Sequence, residues 1–233
     1  MKWWPKVVSE DGGPRRPEPP RHAAPFAVAG GTRGSGLAFI AAAASVGHPV
    51  TALARGAEGA AAVAAAGGTA VRGDALVAAD LERFCREAGP GAVAVSFLGS
   101  RPGEGQVDSA GNIAFVDAAV AAGAGRFVLV TSLGCGESLP LLSPRMREVI
   151  GAVVAEKTKA EDHLRAAPIA WTIVRPGGLL DGPADGHGRL VSAPSAIGRI
   201  TRGELARLVL IAATDPQWRG RVLAAQNPVP SAA

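Results

Sequence analysis

The sequence predicts a doubly wound α/β fold: a parallel sheet between two helical layers, three α/β/α layers in a single domain. Three observations predict it. Short apolar runs alternate with longer helical stretches from Phe26 to near the end of the chain. The runs are apolar without regular alternation, which marks strands buried on both faces and joined by right-handed crossovers. A glycine-rich turn directly follows the first run and opens the first helix. The length of 233 residues holds one such domain with a real core and is too short for two ordinary ones.

In order, Phe26–Ala29 reads as the first strand and Ser35–Val46 as a helix with apolar residues on its packed side. Pro49–Ala54 reads as the second strand, and a third lies near Ala70–Val71. Ala92–Phe97 is the fourth strand, Val107–Ala122 a helix and Phe127–Thr131 the fifth strand. Pro144–Ala166 reads as a long helix, opened by a proline that tolerates a first helical turn. Trp171–Val174 is the sixth strand, Arg202–Ala213 the last helix and Arg221–Ala225 the last strand. The domain spans residues 26–233, with a small substrate region toward its end. Residues 1–25 carry Pro5, Pro14, Pro17, Pro19, Pro20 and Pro25 among charges and read as a flexible tail. Trp3 and Trp4 are its exception, two apolar residues able to dock on the domain or on a partner.

Composition removes several function classes. The net charge is +4 and the isoelectric point about 9.7, but basic residues are scattered among acids and aromatics are only 4%. Neither a basic stripe nor a stacking platform for nucleic acid is present. A basic surface equally suits an anionic cofactor. The longest apolar stretches, such as Leu37–Val46, are too short to cross a membrane. Arg15-Arg16 precedes Pro-Glu-Pro-Pro rather than an apolar run, so it does not read as an export signal. Two cysteines, Cys85 and Cys135, without a cysteine–histidine cluster argue against a disulfide framework or metal site. The expected setting is a reducing, cytoplasmic one, and the expected partner a small-molecule substrate.

The first strand runs into Gly30-Gly31-Thr32-Arg33-Gly34-Ser35-Gly36 and straight into a helix. Open N–H groups and the helix dipole favour a diphosphate at such a start, and glycine lets the backbone approach it closely. A strand before the turn and a helix after it make this a dinucleotide loop of the Rossmann type rather than a bare tight turn. The spacing Gly-x-x-x-Gly-x-Gly resembles the short-chain dehydrogenase/reductase superfamily. Within it, the chain is most similar to the atypical NAD(P)H-binding branch of NmrA-like proteins and the biliverdin reductase B/flavin reductase type. That branch commonly carries Gly-x-x-Gly-x-x-Gly, and Arg33 stands where its middle glycine would be. The segment from Glu156 to Arg165, the run Trp171–Leu179, Gly111-Asn112 and Ile200-Thr201-Arg202 extend the resemblance over the whole domain.

At the end of the second strand, where an acid would select NAD, the chain has Arg55. A guanidinium grips a 2′-phosphate with two hydrogen bonds, and Arg33 reaches the same region, so the expected cofactor is NADP(H). The resemblance implies an adenine-side role for Asp74, whose carboxylate equally fits a turn or helix cap. It also implies that Leu98 and Gly99 pass the adenosine, and that Thr131, Ser132, Pro176 and Gly177 flank the nicotinamide.

Many members of the superfamily use Tyr-x-x-x-Lys, in which lysine lowers the tyrosine pKa. Lys157 aligns with that lysine, but Val153 stands four positions earlier and the chain contains 0 tyrosines. Ser132 and Lys157 are therefore the catalytic candidates, although Ser132 also fits a strand-end hydrogen-bonder and Lys157 a surface charge paired with Glu161. The resemblance implies an NADPH-dependent reductase passing hydride to a flavin, quinone, tetrapyrrole or small carbonyl. A non-catalytic NADP-binding regulator of the NmrA-like kind and a dinucleotide-dependent epimerase or isomerase stand as alternatives. Cys135 reads as a buried thiol, His163 as a helix-surface residue, and the loop Asp181–Gly188 as a cover over the substrate.

Overall fold

The computed structural model describes residues 7–8, 14–15, 23–100, 106–192 and 194–228. Two short segments, β1 (Val7–Val8) and β2 (Pro14–Arg15), pair antiparallel. The flexible-tail expectation falls for most of its length outside the described residues, as do Trp3 and Trp4. The domain then runs β3 (Phe26–Ala29), α1 (Gly34–Ser45), β4 (Val50–Ala54), α2 (Ala57–Ala65), β5 (Thr69–Arg72), α3 (Ala78–Ala88) and β6 (Val93–Ser96). Its second half runs α4 (Asn112–Ala121), β7 (Arg126–Val130), α5 (Pro144–Ala166), β8 (Trp171–Pro176), β9 (Gly178–Leu180), β10 (Arg189–Val191), β11 (Arg199–Thr201), α6 (Arg202–Thr214) and β12 (Arg221–Gln226).

Eight strands form one sheet in the order β10-β12-β8-β7-β6-β3-β4-β5. All neighbours are parallel except β10, which runs antiparallel to β12. The sheet is the expected doubly wound one; its antiparallel edge strand, β10, is three residues long, too short to carry an apolar-run signal. The chain winds outward from β3 to β5, returns to β6 on the other side of β3, and winds the opposite way to β12. The strand order therefore reverses between β3 and β6, where a crevice opens beyond the strand ends.

Side chains alternate between the two sheet faces, and each face has its own core. Phe26, Val28, Val95 and Val128 pack against Phe39 and Ile40 of α1 and Leu205 and Val209 of α6. Ala27, Ala29, Phe127 and Leu129 pack against Phe84 of α3, Phe115 of α4 and Leu164 of α5. Burial on both faces explains why the strands read as continuous apolar runs. The sequence reading assigned no helix over α2, because that helix is alanine-rich and buries only Val63. It drew one helix over Val107–Ala122; the structure instead opens this stretch with a π-helical turn, Val107–Gly111, before α4.

Phe115 is fully buried, with its ring centroid 5.6 Å from Phe84 and 5.0 Å from Phe127. Phe115→Ala removes the middle member of this aromatic row and leaves a cavity. It is expected to cost about 3–5 kcal/mol, read as a lower urea midpoint at unchanged slope.

Candidate functional site

The turn after β3 has a shape open only to glycine. Gly30 adopts φ +77°, and a Cβ on it would lie 2.5 Å from the Phe97 carbonyl carbon. A Cβ on Gly36 would lie 2.3 Å from the Gly30 carbonyl oxygen. The first turn of α1 thus closes on the ends of β3 and β6 at backbone contact distance. Arg33 is the extended N-cap residue, no side chain caps the helix, and its first turn holds no acid. Its leading N–H groups stay open to an anion. Ser35 Oγ, buried in the same turn, has no hydrogen-bond partner. An uncapped helix start, an unpartnered hydroxyl and a cradle that a Cβ would fill together fit a diphosphate.

Two cavities adjoin over this turn and share Gly30, Arg33, Phe97, Leu98 and Gly99 as walls. One, of about 350 Å³, also takes in Thr32, Arg55, Glu58, Gly73 and Asp74. The other, of about 650 Å³, takes in Gly34, Ser35, Gly36, Thr131, Ser132, Lys157, Pro176 and Gly177. Each candidate residue named from the sequence lines one of the two. The structure adds an acid that sequence reasoning missed: Glu58, in the first turn of α2, shares its cavity with Arg33 and Arg55. Glu58 lies four residues beyond β4, and only the turn into α2 brings it back to the strand end. Asp74 lines the same cavity while its Oδ1 accepts from Leu76 N at 3.0 Å, so it also serves its own turn.

Lys157 is not the surface charge paired with Glu161 that i,i+4 spacing suggests. Its side chain is 12% exposed, and Nζ lies 2.6 Å from Oδ1 of Asp108, which is completely buried. Lys157 Nζ also donates to the Leu98 carbonyl at 3.4 Å. Asp108 comes from the π-helical turn, and its Oδ2 accepts from Ser100 N at 3.1 Å. The neighbouring Ser109 Oγ donates to Glu156 Oε2 at 2.5 Å, so adjacent residues of the turn grip adjacent residues of α5.

Glu161, one helical turn beyond Lys157, has other partners. It is 0% exposed and accepts from Arg175 Nη2 at 2.6 Å, Arg175 Nε at 3.0 Å, Arg165 Nη2 at 3.0 Å and Thr131 Oγ1 at 2.6 Å. Arg175 also holds Glu137 with two bonds, of 2.7 and 3.1 Å. Burial acts to lower the Arg175 pKa, but its bonds to Glu161 and Glu137 prevail and raise it. A buried charge needs this degree of pairing, and the cluster ties α5 to the ends of β7 and β8. The Thr131 hydroxyl is therefore committed to Glu161, and Ser132 Oγ donates to the Leu133 carbonyl at 2.9 Å.

The larger cavity has an aliphatic stretch of wall and a charged one, the latter formed by Arg33, Asp108, Asp181 and Arg202. Ile150, Val153 and Val154 of α5 form the aliphatic stretch, with Leu179 of β9 and Leu205 of α6. Val153 stands where a catalytic tyrosine would precede Lys157, and the chain holds 0 tyrosines. Cys135 is buried, and burial pushes its thiol up to about 11, which keeps it out of nucleophilic chemistry. His163 Nε2 lies 2.7 Å from Asp117 on the outer side of α5, and His187 is exposed.

The loop before β10 is held from α6. Glu204 accepts from Gly186 N at 3.0 Å and Gly188 N at 2.9 Å and pairs with Arg207. Burial acts to raise the Glu204 pKa; the bonds from Arg207, Gly186 and Gly188 prevail and hold it below the ordinary 4.5.

Fold and cradle together define a doubly wound protein built to bind a dinucleotide. The chain belongs to the NAD(P)H-binding family, whose profile matches residues 30–216, as its resemblance to the atypical short-chain dehydrogenase/reductases implied. Among solved structures, ChuY of Escherichia coli O157:H7, described as an anaerobilin reductase, is 34% identical with a TM-score of 0.82, covering 90% of this chain and 100% of that one. A putative NAD-dependent epimerase/dehydratase from Bacillus halodurans shares the fold at 22% identity and a TM-score of 0.78, covering 88% of this chain and 95% of that one. The chloroplast protein TIC 62 of Pisum sativum is 36% identical over 107 residues, 43% of this chain and 20% of TIC 62. An uncharacterised chloroplast protein of Arabidopsis thaliana is 36% identical over 86 residues, 35% of this chain and 31% of its own length. The chain thus spans between a fifth and a third of these curated relatives. Among the described residues, no helix is long and apolar enough to cross a membrane.

A carboxylate with a depressed folded pKa adds stability that is fully present above its unfolded value and lost as pH falls through the folded one. Urea midpoints are therefore expected to fall on acidification below about pH 4.5. Glu204→Gln is expected to lower stability at neutral pH and to show a smaller acid drop. An unchanged drop would separate Glu204 from the acid response.

Proposed function

We propose that the chain is an NADPH-dependent reductase whose acceptor is extended, conjugated and largely apolar, of the tetrapyrrole or flavin kind. The observation that carries this reading is the aliphatic group Ile150, Val153, Val154 and Leu179, which shares the larger cavity with the paired Lys157. Met146 and Val149 of α5 and Leu179 and Leu180 of β9 are large apolar side chains left exposed, Val149 by 75%. Such a surface orients a flat apolar body and sheds water from it. Similarity to ChuY over its full length supports a reductase rather than an epimerase.

When bound, the nicotinamide supplies a hydride equivalent. The residues around it have simpler tasks. The diphosphate turn and the walls of the two cavities fix the reacting partners in proximity. Lys157, held by Asp108, presents a positive charge and a proton at Nζ for the charge that develops on the acceptor, and the Ser132 hydroxyl lines the same cavity. A conjugated acceptor spreads that charge over many atoms and so does without a tyrosine acid. Arg33 and Arg55 favour the 2′-phosphate of NADP, and Glu58 is the opposing charge in the same cavity. Both cysteines are free and buried, which suits a reducing compartment such as the cytoplasm.

The test is oxidation of NADPH followed by absorbance with a panel of tetrapyrroles, flavins, quinones and small dicarbonyls. Turnover with the conjugated acceptors is expected, and Lys157→Met is expected to lower kcat about 100-fold. Tight NADPH binding without oxidation by any acceptor would replace the reductase with a nucleotide-sensing regulator. Arg55→Ala is expected to weaken NADPH relative to NADH about tenfold. An unchanged ratio of the two affinities would remove Arg55 from the phosphate clamp.

A further inference from the structure

Arg202 is the first residue of α6, and none of the roles above uses it. Its position is tightly set. β11 pairs in parallel with β9, which ends beside Asp181. Gly203 N donates to the Gly182 carbonyl at 3.1 Å, and a Cβ on Gly203 would lie 2.5 Å from Ala184 N. With the start of α6 fixed in this way, the Arg202 side chain reaches across the cleft to the first turn of α1. Its Cδ and Nε lie 3.4 Å from where a Cβ of Gly34 would stand. Both residues line the larger cavity, as does Ser35, whose buried hydroxyl has no partner.

The present partner of Arg202 is Asp181, with Nη1 3.0 Å from Oδ1. The Asp181 side chain is 95% exposed, so water competes for its charge and the pair is easily exchanged. Glu204, the acid in the first turn of α6, is occupied by the Gly186 and Gly188 amides and by Arg207, and does not compete. A guanidinium donates through a planar fork that fits phosphate oxygens better than a solvated carboxylate fits it.

We infer that Arg202 is a second arm of the dinucleotide site, closing over the diphosphate from the α6 side and leaving Asp181 when the nucleotide arrives. This deepens the NAD(P)H-binding reading and rests on it. The diphosphate is common to NADPH and NADH, so Arg202 acts on both alike, unlike Arg55, which acts on their ratio.

The experiment titrates the full chain with NADPH and with NADH by nucleotide fluorescence, with thermal melts to confirm folding. Arg202→Ala is expected to weaken both nucleotides about tenfold at an unchanged ratio. Arg202→Lys, which keeps the charge and loses the fork, is expected to fall between. Asp181→Asn is expected to tighten both nucleotides in the wild-type background and to have no effect once Arg202 is alanine. Affinities unchanged in Arg202→Ala, or changed for only one nucleotide, would overturn the inference. So would a rise in acceptor KM with nucleotide affinity intact, which would assign the guanidinium to the substrate. Failure of the unmodified chain to bind either nucleotide would overturn the cofactor reading together with this inference.

Discussion

The site depends on how closely one helix approaches two strand ends. At the turn from β3 into α1, the Gly36 Cα lies so near the Gly30 carbonyl that no Cβ fits between them, and Gly30 itself abuts the Phe97 backbone. Any side chain at either position would lift α1 from the sheet. The uncapped N–H groups of its first turn would then no longer face the crevice between β3 and β6. The strand order reverses at that crevice, so helices diverge on either side of it and leave room for a ligand. Arg202 of α6 comes to this turn from outside and joins Arg33 and Ser35, which belong to it.

A second constraint is electrostatic and sets the other end of the cleft. Glu161 is fully buried, and an unpaired carboxylate there would be prohibitively costly. Arg175, Arg165 and Thr131 all turn toward it, and Arg175 extends the cluster to Glu137. Because Glu161 and Lys157 lie one turn apart on α5, anchoring the first fixes the reach of the second. The π-helical turn then meets Lys157 with Asp108, a carboxylate otherwise bonded to Ser100 N. The lysine is thus held at the cavity wall between a positioned helix and a positioned acid. Around it lies aliphatic surface rather than the tyrosine that many relatives in the superfamily use.

Much of the site was legible in the sequence because its signals are local. Gly30, Gly34 and Gly36 are spaced along a few residues, and Arg55 stands at the end of a strand that the apolar pattern reveals. Asp108 and Glu58 were not legible. Each lies in the first turn of a helix, where an acid is ordinary, and the fold alone shows that Asp108 meets Lys157 and that Glu58 turns into the cavity of Arg33 and Arg55. The Lys157–Glu161 spacing pointed to a pair that does not form, because a buried arginine from β8 and another from α5 satisfy Glu161. Spacing along a helix reports which side chains can meet, and burial decides which of them do.

The sequence by itself determined the alternation of strands and helices, the glycine turn and the absence of a tyrosine acid. Each of these is a property of neighbours along the chain: apolar runs, backbone freedom, residue inventory. Only the tertiary structure decided which charges pair, that Glu58 joins the two arginines, and that α6 brings Arg202 across to α1. Those outcomes depend on desolvation and on contacts between segments distant in sequence, and neither is encoded in any single window of residues.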